Sequence, residues 1–177
     1  VVTNLSREHL DYHRTMEKYT EAKGLLCKIV EKSKHTRSLI VCNDFAEAGY
    51  FLSFSAENKV TYGESPDSTL QLLSAKPLAK GQELTFGYNG GEYVAQTSLE
   101  GHFNALNILA ALGVMLSRGT TIEALVTLIP ALQSVPGRME EVTDGSQPYR
   151  FFIDYAVTPE ALRSLYTTLQ PMGRRLV

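Results

Sequence analysis

The sequence predicts an α/β fold: an α/β layer carrying a small antiparallel sheet, followed by the start of a second, Rossmann-like unit. Three observations predict it. Apolar residues recur at helical spacing over 16–32, and a short apolar run follows at 38–43, the helix–strand order of an α/β layer. Five short alternating or aromatic-rich runs then fill 50–98, separated by turn residues that include Asn89-Gly90, a strong hairpin signal. The helical period returns at Gly101, and Pro136-Gly137 breaks the chain before a strand–helix–strand order, the opening of a parallel, Rossmann-like sheet.

Each element has a local cause. In the first helix Met16, Tyr19, Leu26 and Val30 recur on one stripe, and Thr15 is placed to cap it. Residues 38–43 read as a short buried strand ending at a polar turn. The runs 50–55, 59–63, 70–76, 83–88 and 92–98 read as strands of the antiparallel sheet, with turns at Glu57-Asn58, Ser65-Pro66-Asp67-Ser68, Lys80-Gly81 and Asn89-Gly90-Gly91. Phe103 to Ser117 is apolar nearly all round, which predicts a buried helix stopped by Gly119. Thr121 to Leu132 predicts a second helix with Thr120 or Thr121 as cap. Beyond the break, Tyr149–Ile153 reads as a strand and Pro159–Leu169 as a helix capped by Thr158. Arg174–Val177 reads as the beginning of a further strand.

Composition narrows the function classes. With 44% hydrophobic and 20% charged residues the chain is an ordinary globular sequence. A net charge of −2 provides no electrostatic footprint for nucleic acid or an anionic membrane. No apolar run approaches the length of a membrane span. Cys27 and Cys42 make no disulfide framework and suit a reducing compartment. Neither terminus resembles a natural start or stop, so the chain reads as a fragment; a monomeric, cytoplasmic parent protein is expected.

Lys23 is the most informative candidate. It lies four residues after Tyr19 and three before Leu26, which places its stem on the apolar stripe and predicts burial near His9. The ordinary reading is a lysine that snorkels its ammonium to water. The alternative is an amine made nucleophilic by burial, able to take up CO2 as a carbamate whose two oxygens suit Mg2+. His9 and His13 have the i, i+4 spacing of a zinc pair, but no third histidine or Cys-x-x-Cys accompanies them. Asn104 and Asn107 share one helix face, where they either bond neighbouring backbone or present an amide edge to a base. Asp154 follows a strand, where it either caps a turn or accepts hydrogen bonds from a ribose. A Gly-x-x-x-x-Gly-Lys-Ser/Thr phosphate loop is absent from all 177 residues.

These segments, in order, resemble the Mur ligases. Thr3-Asn4-Leu5-Ser6-Arg7-Glu8-His9-Leu10-Asp11-Tyr12-His13 and Met16 to Lys23 are similar to the motif of the tripeptide synthetase branch. Gly101-His102-Phe103-Asn104-Ala105-Leu106-Asn107 resembles the adenine-contacting helix, Pro136-Gly137-Arg138-Met139-Glu140 the interdomain motif, and Asp154-Tyr155-Ala156-Val157-Thr158-Pro159 the opening of the C-terminal domain. The resemblance implies that 1–136 is the C-terminal part of a central ATP-binding domain and 137–177 the beginning of a ligase domain. It implies a carbamylated Lys23, His9 as a Mg2+ ligand, Asn104 and Asn107 at the adenine, Arg138 at the ATP phosphates and Asp154 at the ribose. Implied substrates are a UDP-N-acetylmuramoyl-peptide and a free amino acid, joined through an acyl phosphate at the expense of ATP. Val157 stands where this branch usually has His.

Three other readings compete. A folylpolyglutamate-synthase-like ligase shares the asparagine helix but not the Ser6–His13 segment. A non-catalytic nucleotide-binding fragment is favoured by the missing phosphate loop. A metal hydrolase built on a carbamylated lysine needs converging histidines, and His9, His13, His35 and His102 form no His-x-His pair.

Overall fold

A computed structural model describes residues 1–143, 146–170 and 173. Its centre is one mixed five-stranded sheet in the order β1 (Ser38–Cys42), β2 (Asn58–Gly63), β3 (Leu70–Pro77), β4 (Gln82–Tyr88) and β5 (Gly91–Thr97). β1, β2 and β3 run parallel, and β3, β4 and β5 form an antiparallel meander. The small antiparallel sheet is therefore present as a continuation of the α/β layer. Beyond β1, Val2 adds a parallel bridge to Val41.

The alternation of β1 explains the layering, because successive strand residues face opposite sides. Ile40 and Cys42 join one core with Val60, Leu84 and Phe86 beneath α4 (His102–Leu116) and α5 (Ile122–Leu128). Leu39 and Val41 join a second core with Cys27 of α2 (Met16–Glu31) and Phe51 of α3 (Ala48–Leu52). Gly113 lets α4 close onto the sheet: an added Cβ would meet Ile40 and Val60 at 3.0 and 3.2 Å.

The local signals at the element ends hold. Thr15, Thr121 and Thr158 each accept a backbone N–H three residues on. Asn89 (φ 49°) and Gly90 (φ 78°) form the left-handed turn between β4 and β5. Pro130 lies in a single 3-10 turn, Ile129–Ala131, which closes α5 short of Leu132.

Several expectations are corrected. The run 50–55 is no strand: its first residues finish α3, whose Phe51 ring fills the core under β1. Aromatic content alone did not distinguish a short helix from a strand. The 59–63 run pairs parallel to β1, not antiparallel. Helix α4 is covered on one face only; Ala111 is exposed and Met115 is 43% exposed. The strand expected at 149–153 shrinks to β7 (Phe152–Ile153), paired antiparallel with β6 (Glu140–Glu141). The strand expected at 174–177 lies outside the described residues. The last described helix is α6 (Pro159–Leu169).

Gly81 joins this scaffold to the site described below. Its φ is +80°, and a Cβ there would strike the Thr97 carbonyl and Ser98 backbone. Gly81→Ala is expected to cost at least about 1–3 kcal/mol through strain at the β3–β4 turn. A chemical-denaturation midpoint equal to that of the parent would refute the strain.

Candidate active site

Two groups of candidate residues form, at different places. The first surrounds Tyr19, which is 5% exposed on α2. The His13 ring stacks on it at 5.1 Å and the His9 ring meets it edge-on at 5.9 Å. The Lys23 ammonium lies 5.0 Å from the ring centre, an attraction to the ring's negative face. His9 reaches its position through a left-handed backbone (φ 56°) that precedes α1 (Leu10–His13), and Arg14 after that turn has φ 67°. Such conformations in non-glycine residues are uncommon and are enriched at functional segments.

The expected burial of Lys23 is overturned: Lys23 is exposed. Helix α2 is rotated relative to the stripe drawn through Met16, Tyr19, Leu26 and Val30. Its buried residues are Tyr19, Thr20, Gly24 and Cys27, while Leu25, Leu26 and Ile29 remain 55%, 56% and 67% exposed. The reason is steric. Gly24 admits the Tyr50 side chain to where its own Cβ would stand, and the small Thr20–Gly24–Cys27 face lies closest to the core. Lys23 is thereby spared the desolvation of its ammonium, yet still reaches the ring that His9 touches.

The second group lies around a cleft of about 220 Å3 near the Pro136-Gly137 break, and of its candidate residues only Asn104 lines that cleft. Gly81, Leu99 and Asn104 line it from before the break, and Met139, Arg150 and Phe152 from after it. Asn104 Nδ2 donates to the Glu100 carbonyl at 2.8 Å, and Asn107 Nδ2 donates to Asn104 Oδ1 at 3.4 Å. The break is a structured turn. Gly137 has φ 73° and donates its N–H to Glu140 Oε2 at 2.7 Å, and Met139 has φ 46°. Asp154 Oδ2 accepts from the Met139 N–H at 2.7 Å, so it supports the wall of the cleft; a carboxylate retains further acceptor capacity. Arg138 sits with its guanidinium 5.4 Å from the Tyr155 ring centre and makes no ion pair among the described residues. Neither Arg138, Asn107 nor Asp154 lines the cleft itself. Val157 is 68% exposed.

A sequence model of the Mur ligase middle domain matches residues 1–115. The chain belongs to the Mur ligase family. Two curated relatives span essentially its whole length. One, named UDP-N-acetylmuramoyl-L-alanyl-D-glutamate–2,6-diaminopimelate ligase, from Geobacillus kaustophilus, is 33% identical over 100% of this chain and 37% of the relative. The other, the corresponding L-lysine ligase of Staphylococcus epidermidis, is 31% identical over 99% of this chain and 35% of the relative. The Mur ligase chain thus spans little more than a third of the length of these relatives. Its fold superimposes on the MurF ligase of Thermotoga maritima in complex with ADP with a TM-score of 0.78 at 21% identity, covering 94% of this chain and 38% of that one.

Sequence reasoning missed three side chains of this Mur ligase region: Glu100, Glu141 and Arg150. Arg150 Nη2 lies 3.2 Å from Glu100 Oε1 and 2.7 Å from Glu141 Oε2, its Nε donates to Glu141 Oε1 at 2.9 Å, and its guanidinium is 4.7 Å from the Phe152 ring centre. These hydrogen bonds from Arg150 hold the Glu141 carboxyl below the usual carboxylate range. The Glu100 and Arg150 positions are 50 residues apart, so no local spacing signals the pair. Among the described residues no three His, Cys, Asp or Glu side chains gather to hold a metal ion, and no helix is long and apolar enough to cross a membrane.

Proposed function

We propose that this chain is part of an ATP-dependent ligase that joins an amino acid to a UDP-N-acetylmuramoyl-peptide in bacterial cell-wall synthesis, working as a monomer in the cytoplasm. The observation that carries the reading is the cleft at the Pro136-Gly137 break, where Asn104 from one side faces Met139 and Phe152 from the other. An interdomain cleft with one amide and an aromatic wall suits a purine base. The ADP named for the superimposable MurF ligase supports a nucleotide there, and the names of the two curated relatives support the peptide substrate.

In this reading residues 1–136 belong to the central ATP-binding domain and 137–177 begin the ligase domain. Two features support the division. Both buried clusters end before the break, with no member beyond Leu132. After it, Tyr149, Phe151, Ile153, Tyr155 and Val157 alternate with their neighbours and are each at least 51% exposed, an uncovered apolar face that runs past the short strand Phe152–Ile153 and is similar to one a Rossmann-like sheet buries. The family resemblance gives Asn104 and Asn107 to the adenine, Asp154 to the ribose and Arg138 to the phosphates; of these only Asn104 lines the cleft, so the other three would meet the nucleotide outside it. Phosphoryl transfer from ATP to the substrate carboxylate forms an acyl phosphate and leaves ADP; the incoming amine then attacks the acyl carbon and phosphate departs.

His9 and a carbamate on Lys23 would hold Mg2+. The carbamate would add one oxygen anion of the kind Mg2+ takes beside substrate phosphate and His9 a neutral nitrogen, and both side chains gather on Tyr19; the exposed Lys23 lacks the burial on which the sequence reading of a carbamate rested. The ion would supply positive charge to the transferring phosphoryl group. In a ligase carrying this segment joined to a phosphate loop, Lys23→Ala is expected to lower kcat about 10²–10³-fold. Lys23→Arg is expected to do no better, because guanidinium forms no carbamate. Undiminished turnover by Lys23→Ala would remove the lysine from the mechanism.

A further inference from the structure

Arg150 has the attributes of a phosphate-binding arginine: it lines the cleft and carries a planar, forked charge. Its geometry assigns it another task. Glu141, on the same side of the Pro136-Gly137 break, takes two of its N–H groups, and Glu100, on the far side, takes a third. Two carboxylates offset the single guanidinium, so Arg150 itself has little charge left to offer an anion; the cleft's other cation is Lys80. Glu100 is well placed as the far anchor. Its side chain is only 10% exposed, its Oε1 also accepts from Gly81 N–H at 3.4 Å, and its carbonyl holds the Asn104 amide. One residue thus ties together the β3–β4 turn, the start of α4 and the segment after the break.

We propose that Arg150 is a positioning residue, a clasp that bridges Glu141 to Glu100 and so fixes the wall formed by Met139 and Phe152 opposite Asn104. Only the identity of the ligand in the cleft rests on the nucleotide reading; the clasp itself does not. The pair acts across the break beside the approach of Thr168 to Gly101 and the burial of Met139, so its loss loosens one wall against the other without emptying either core. Each carboxylate has a separable share. Glu141 stiffens the β6–β7 pair locally, whereas Glu100 alone spans the break.

The test is amide hydrogen exchange on the 177-residue chain, read at Met139, Val142 and Tyr155, whose N–H groups are bonded within the clasped segment. Glu100→Gln and Arg150→Gln are each expected to speed exchange there about fivefold or more, while β4 in the core keeps its protection. The double variant is expected to be no faster than the faster single one, because both remove the same link. Molar salt should speed exchange less in Glu100→Gln, which keeps only the local Arg150–Glu141 pair, than in the parent, and Arg150→Lys should fall between parent and Arg150→Gln. Parental exchange in Glu100→Gln, or additive effects in the double variant, would overturn the clasp. Adenosine titrated into the same samples separates the two readings: accelerated exchange without adenosine binding by the parent supports the clasp and removes the purine from the cleft.

Discussion

Given ATP, Mg2+, a UDP-N-acetylmuramoyl-peptide and an amino acid, the 177 residues alone are expected to form no amide bond above the uncatalysed background. Phosphoryl transfer gives a protein little covalent chemistry to perform; its barrier falls through positioning and through charge placed around the phosphates. The sequence holds no Gly-x-x-x-x-Gly-Lys-Ser/Thr loop, so no backbone cradle or loop lysine fixes the β- and γ-phosphates. Arg138 remains, stacked beside Tyr155, but one cation without that cradle cannot align the attacking and leaving oxygens. Loss of a single positioned cation in such reactions already costs about 10³–10⁵ in rate. Mass spectrometry of the reaction mixture with a parallel ADP assay reads this directly. ATP-dependent product from the isolated chain would mean that the phosphates are held by groups not identified above.

The second large effect concerns stability. Phe86→Ala is expected to cost about 3–5 kcal/mol, a large share of the 5–15 kcal/mol typical of a whole domain. Phe86 is 0% exposed in the central strand of the meander, stacked on Tyr93 at 5.7 Å and clustered with Leu84, Ile108 and Leu109. Removing the ring leaves a cavity between sheet and α4 that rigid strands cannot close. Because α4 carries Asn104, the cleft is expected to loosen with the core. The transition midpoint in urea measures the first effect, and amide exchange at Asn104 the second. A loss under about 1 kcal/mol would show that the sheet repacks around the gap.

Much of this was legible in the residues themselves. Helix caps at Thr15, Thr121 and Thr158, the Asn89-Gly90 hairpin and the break at Pro136-Gly137 are local chemistry, settled by neighbours within a few positions. The family was legible for the same reason, since its motifs are contiguous runs. The antiparallel meander followed from short alternating strands separated by turn residues.

What the residues alone left open was decided by packing between distant segments. The register of α2 turned on Gly24, whose missing side chain makes room for Tyr50 and rotates the helix until Lys23 is exposed and Leu25, Leu26 and Ile29 face outward. A stripe of apolar residues predicts which face prefers burial; it does not say which face a neighbouring ring can approach. The first residues of the run at 50–55 became helix because Phe51 had a core to fill. The gathering of His9, His13 and Lys23 on Tyr19, and of Glu100 and Glu141 on Arg150, likewise arose only once the chain was folded. Caps and turns are governed by short-range hydrogen bonding and were set by sequence alone; helix rotation and charge pairing across the break depend on shapes that only the tertiary structure brings together.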